Sequence, residues 1–198
     1  MQLDLFAKRR HTRRGGLHAP RENLSRHTPV HVTLRVDPLP SSLRARDLYR
    51  AIRTATATVW RTQAMHLVHA SIQSNHIHLV VEAGDKRELS RGMQGFQISA
   101  AKRINRLLSR SGRVFSDRYH AHILRSRAET RNAVQYVLTN WRKHGGGTQA
   151  PFDPCSTADA FPAWLEAPWL PASAPPEPLQ VWPPKSWLLR NVGELSAF

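Results

Sequence analysis

The chain has 198 residues, with 29 Lys and Arg against 14 Asp and Glu, a formal net charge of +15. That length allows one ordinary domain with tails or two very small ones, and the basic excess favours a polyanion partner, nucleic acid before an anionic membrane surface. A single cysteine, Cys155, excludes an intrachain disulfide framework and a Cys-rich zinc site and fits a reducing compartment; no apolar run approaches the ~20 residues of a membrane span.

The first residues, MQLDLFAKRRHTRR, turn basic before an apolar leader core could form, so no secretory signal is expected. Residues 7–27 lack apolar periodicity, and residues 1–28 are expected to be a basic flexible arm, either simply solvated or bound to phosphates. Val30–Val36 alternates apolar and polar residues, the pattern of a half-buried strand, and Pro38 and Pro40 end it. Ser41 or Ser42 could cap a helix over roughly Arg44–Thr62, with Leu48, Ala51, Ile52, Ala55 and Val59 at helical spacing. Met65–Ile72 reads as a strand, Gln73-Ser74-Asn75 as a tight turn and His76–Glu82 as the second arm of a hairpin. Residues 86–109 predict a long helix with Met93, Phe96, Ala100, Ile104 and Leu107 on one face and Lys102, Arg103, Arg106 and Arg110 largely on the other. Val114–Arg125 is expected to be a loop plus a fourth strand, and about Arg127–His144 a last helix ended by glycines.

The order β-α-β-β-α-β-α predicts an α+β domain over residues 29–147. Its first six elements follow the ferredoxin-like plan of a four-stranded antiparallel sheet with two helices on one face. The added C-terminal helix has to pack over the open sheet face or its edge. Residues 148–198 are different in kind. The segment 150–198 has a net charge of −3, against +18 before it, and holds 10 of the 14 prolines and 4 of the 6 tryptophans. Such a tail either wraps over the domain or waits for a partner.

His76 and His78 project from one face of their strand, and Ile77, Leu79 and Val81 from the other. Two imidazoles on the helix-free face can bind one divalent ion, although an isolated pair is more often ordinary surface histidine. The last helix supplies what such a site lacks. Its apolar stripe is Val134, Val137, Leu138 and Trp141, while Tyr136 and Asn140 stand four apart on a flank away from that stripe. Asn140 can offer an amide oxygen to a metal, with the Tyr136 phenol one helical turn away. A second His-x-His, His120 and His122, adjoins Tyr119; the tyrosine and His120 would face opposite ways on a strand, and no amide lies one turn from Tyr119. Tyr49, His66 and His69 read as structural.

NHIHLVVE, then RVFSDRYHAHILRS, then AVQYVLTNWRKHG resemble the HUH single-tyrosine transposases, most closely the bacterial REP-associated tyrosine transposases, over about His31–Gly145. The resemblance makes His76, His78 and Asn140 the metal ligands and Tyr136 the nucleophile. It implies a metal-dependent DNA nuclease and strand transferase acting on single-stranded or hairpin, REP-like DNA through a 5′-phosphotyrosine. It also implies a divalent cofactor, Mg²⁺ or Mn²⁺, with imidazole favouring Mn²⁺. Two departures stand out: Gln73-Ser74 where the family often has Met-Pro, and Trp141 where it often has proline.

Lys102, Arg103, Arg106, Arg113, Arg118, His120, Arg125, Arg142 and Lys143 are candidate DNA contacts. Gln2-Leu3-Asp4-Leu5-Phe6 looks like the short peptide that bacterial proteins insert into the DNA polymerase sliding clamp, against the plain alternative of a chance match. The expected setting is cytoplasmic and nucleoid-associated, without a membrane, as a monomer or dimer. Two other functions remain open: a sheet-face nucleic-acid binder without catalysis, and a phosphodiesterase that uses water.

Overall fold

The computed structural model describes residues 23–25, 28–63, 65–144, 152–165 and 177–196. Four strands, β1 (Val30–Arg35), β2 (His66–Ile72), β3 (His76–Glu82) and β4 (His120–Ile123), form one antiparallel sheet in the order β2-β3-β1-β4. Helices α1 (Arg46–Thr62) and α2 (Lys86–Leu107) cover one face. This is the expected ferredoxin-like α+β architecture. Among the described residues no helix is long and apolar enough to cross a membrane.

Strand alternation builds the first core. Val30, Val32 and Leu34 of β1 and Ile77, Leu79 and Val81 of β3 meet Leu48, Ile52 and Val59 of α1 and Met93, Phe96 and Ile104 of α2. Asp85 starts α2 by accepting from the backbone N–H groups of Arg87 and Glu88, at 2.7 and 2.8 Å. Those bonds, above all the one from Glu88, hold its carboxyl below the usual aspartate range. Gly92 lets α2 approach Met65, the residue that leads into β2: a Cβ there would lie 2.6 Å from the Met65 Cγ.

Several local expectations need correction. Helix α1 begins at Arg46, and its N-cap is Ala45, without a side-chain cap. Ser42 instead accepts from the Arg44 N–H, in the turn before the helix. Leu107, expected on the buried face of α2, is 44% exposed; Leu108 packs against the core in its place. The last helix is shorter than its apolar stripe implied. Helix α3 is Arg127–Thr139, and Asn140–His144 is a 3-10 turn. The Thr139 hydroxyl donates to the Gln135 carbonyl at 2.7 Å, a back-bond that loosens a helix at that turn. The glycines expected to end it lie outside the described residues, as do residues 1–22 of the basic arm.

The other sheet face is covered. Val134, Val137 and Leu138 of α3 pack with Val68 and Val80 of the sheet and with Phe161, Trp164, Leu189, Val192 and Leu195 from the Pro-rich segment, a second core. Of the two roles open to that segment, its described parts take the first and wrap over the domain. Asp153 anchors it through a two-bond ion pair with Arg44, at 2.7 and 3.0 Å. Arg50 pairs with Glu177 nearby, and the Trp182 N–H donates to the Leu67 carbonyl at 2.8 Å.

Candidate active site

The second core leaves one end of the covered face to polar groups. β3 lies between β2 and β1, so His78 stands directly opposite Thr33 on one side and Ser71 on the other. His76 is opposite Arg35. The two imidazoles share a face, with ring centroids 4.7 Å apart. His78 is buried and His76 half-buried.

Each is held through Nδ1. The Asn75 Oδ1 lies 2.8 Å from the Nδ1 of His76. The His78 Nδ1 lies 3.1 Å from His31 Nε2 and 3.2 Å from Thr33 Oγ1. An amide oxygen only accepts, so the neutral His76 ring carries its proton on Nδ1, which leaves the lone pair on Nε2. His31 is held neutral, with its pKa lowered to about 4, first by burial and then by the neighbouring His122 and His120.

Helix α3 brings Tyr136 to this pair. A capping box fixes its start: Ser126 Oγ accepts from the Glu129 N–H at 3.1 Å, and the Glu129 carboxylate accepts from Ser126 and Arg125. Those backbone bonds, led by the one from Arg125, hold the Glu129 carboxyl below its ordinary range. With the apolar stripe buried, Tyr136 falls on the flank facing the histidines. Its ring lies 5.1 Å from that of His78 and 6.0 Å from that of His31, edge-on to both. Tyr136 is 36% exposed, so the phenol is held without being sealed from solvent. Asn140 follows one turn later, its N–H donating to the Tyr136 carbonyl. It is buried, and its Nδ2 has no hydrogen-bond partner among the described residues.

The other candidates divide by location. His120 shares the histidine face, one strand beyond Thr33. Tyr119 points the other way into the helix-side core, with its hydroxyl 3.4 Å from Ser90 Oγ, on the opposite face of the sheet from His120. Lys102, Arg103 and Arg106 ride on α2, across the sheet from the histidines. Arg113 is paired with Asp37 at 2.9 Å. Arg118 and Arg125 are exposed on either side of β4. Arg142 lies over the Trp141 ring at 5.2 Å, and Lys143 belongs to the 3-10 turn after α3. The clamp-like residues Gln2, Leu3, Asp4, Leu5 and Phe6 lie outside the described residues. Sequence reasoning passed over His31 and Thr33, whose part in the site depends on which strand pairs with β3.

Residues 29–140, more than half of the chain, match the family described as "Transposase IS200 like". The chain belongs to the IS200-like transposase family. The matched span opens just before β1 and closes on Asn140, so this transposase carries His76, His78, Tyr136 and Asn140 all within the family region. Among solved structures the transposase resembles a REP-associated tyrosine transposase bound to a REP hairpin. The two share 19% identity and a TM-score of 0.58, over 71% of this chain and 81% of that chain. At that identity the likeness is one of fold. No curated protein matches the transposase in sequence.

Proposed function

We propose that this transposase cuts and rejoins single-stranded or hairpin, REP-like DNA, with Tyr136 as nucleophile and with His76, His78 and Asn140 holding a divalent ion, Mg²⁺ or Mn²⁺. The observation that carries this reading is the Tyr136 ring packed against His78 on a sheet face where the second imidazole is already in place. The Tyr136 oxygen attacks a backbone phosphorus, a tyrosine–phosphorus bond forms, and the bond from phosphorus to the 3′-oxygen breaks. The 3′-oxygen gains a proton as the phenol loses one. Because one phosphoester replaces another, the bond energy is kept, and the 3′-OH can reverse the step on the same or another strand.

The side chains fit such an ion. Nitrogen ligands sit about 2.1 Å from a metal, so two rings on one ion have centroids within roughly 6.5 Å, a limit the 4.7 Å spacing satisfies. Partners on Nδ1 are what a ligating imidazole needs to turn Nε2 outward. Among the described residues no three His, Cys, Asp or Glu side chains are grouped to hold a metal. Among the described residues, a third protein ligand would therefore come from another type of side chain. Asn140, with an unbonded amide end that rotation can convert to an oxygen, is of that type. When bound, the ion polarises the scissile phosphate and balances its developing charge.

The basic side chains Lys102, Arg103, Arg106, Arg113, Arg118, Arg125, Arg142 and Lys143, with His120, are proposed DNA contacts. The three on α2 would hold duplex or strand away from the cleavage face. The proposed setting is the cytoplasm, on the nucleoid. The Gln2–Phe6 peptide is proposed to dock on the sliding clamp; a pull-down in which Leu5→Ala and Phe6→Ala recover as much clamp as the intact chain would end that idea.

Incubation with end-labelled hairpin DNA and Mn²⁺ tests the main reading. A covalent protein–DNA adduct that disappears in Tyr136→Phe is expected. Cleavage that survives in Tyr136→Phe would instead mean an activated water, and binding without cleavage a non-catalytic DNA-binding protein.

A further inference from the structure

We infer that His31, with Thr33 beside it, is a positioning residue that fixes the orientation and tautomer of His78. The inference rests on the reading of His78 as a metal ligand. Register brings the two within reach: β1 runs antiparallel to β3 with Thr33 opposite His78, and His31 lies two residues along on the same face. From there His31 Nε2 reaches the His78 Nδ1 at 3.1 Å, and Thr33 Oγ1 reaches the same nitrogen at 3.2 Å.

A neutral imidazole carries one ring proton, and the nitrogen that ligates a metal cannot be the one that bears it. With His78 ligating through Nε2, its ring proton sits on Nδ1, where His31 Nε2 at 3.1 Å and Thr33 Oγ1 at 3.2 Å are both placed to accept it. His31 Nε2 then acts as acceptor, and its own proton sits on its Nδ1. His31 also touches the other half of the site, because the Tyr136 ring packs edge-on against both His31 and His78. One side chain on β1 thus sets the ring angle of a proposed ligand from β3 and borders the proposed nucleophile from α3. Outer partners of this kind change metal affinity by about 10- to 100-fold when removed.

The test measures Mn²⁺ affinity of the full chain without DNA, from the electron paramagnetic resonance signal of free Mn²⁺. His31→Phe keeps an aromatic ring beside Tyr136 and deletes the acceptor; His31→Gln can place an amide oxygen near the lost Nε2. The expected result is Mn²⁺ affinity lowered about tenfold or more in His31→Phe and restored to within about threefold in His31→Gln. Equal affinity in His31→Phe and the unsubstituted chain overturns the inference, as does equal loss in both variants. Nitrogen-15 NMR of the unsubstituted protein gives a second reading that no folding defect can blur. His78 is expected as the Nδ1–H tautomer, and an Nε2–H tautomer contradicts the inference. His78→Ala separates the two levels of the account. If it leaves Mn²⁺ uptake unchanged, the ligand reading has failed and the inference falls with it. If it abolishes uptake while His31→Phe does not weaken it, the inference alone has failed.

Discussion

His76 and His78 stand two residues apart on one strand, yet different neighbours orient them. Asn75, next in the chain, holds His76, while Thr33 and His31, more than forty positions upstream, hold His78. The first arrangement is local and can be read from Asn-His-Ile-His. The second exists only once β1 has been placed beside β3, and for that reason the alternation of Val30–Val36 revealed a strand without revealing that its polar side would face the histidines. Tyr136 and Asn140 were legible for the opposite reason: helical spacing alone sets them on one flank. Asn140 also carries a prediction of its own. Its Nδ2 makes no hydrogen bond among the described residues, and with the amide turned over that same position holds the oxygen, free to meet an ion. Asn140→Ala should weaken Mn²⁺ binding about tenfold by calorimetric titration; unchanged affinity would remove Asn140 from the ligand set.

Among elements, α3 is the one held from both sides. Its stripe of Val134, Val137 and Leu138 lies on the sheet, and the Pro-rich segment closes over it with Trp164 and Leu195. Gln135 Nε2 donates to the Ser196 carbonyl, and the Arg131 guanidinium to that of Val192. Trp164 matters most here: it is buried, packs on Phe161 and Phe152, and donates from its indole nitrogen to the Ala158 carbonyl at 2.7 Å. Trp164→Ala should cost about 3–5 kcal/mol by urea denaturation. A loss under about 0.5 kcal/mol, the range of ordinary surface substitutions, would show that the segment is not part of the fold. The strands and helices of the domain were readable because each repeats a period. The segment was not, since it contributes single large side chains from turns and extended stretches, a pattern with no period to detect.

At the scale of the whole molecule, the fold has two cores and a sheet between them, and charge and imidazole are sorted across it. Helix α2 presents Lys102 and Arg106 to solvent on one side, whereas the histidines gather on the other. His69 lies on that histidine side, edge-on to Phe161, and burial holds its pKa down to about 4 from 6.5. The unfolded chain therefore binds this proton more readily than the folded one between those values. His69 costs the fold nothing above pH 6.5, and stability falls as the pH drops from 6.5 toward 4, by about 2 kcal/mol at pH 5. Urea midpoints at pH 7 and pH 5 test this: His69→Phe should lose less on acidification than the unsubstituted chain, and an equal loss would contradict it.

The central claim is that one phenol, delivered by α3, makes and breaks the bond to DNA. Mass spectrometry of the peptides left after protease and nuclease treatment of a Mn²⁺-dependent hairpin reaction tests it most directly. A residual nucleotide on the peptide containing Tyr136 is the result predicted; a nucleotide on the Tyr119 or Tyr49 peptide, or cleaved DNA with no modified peptide, would contradict it.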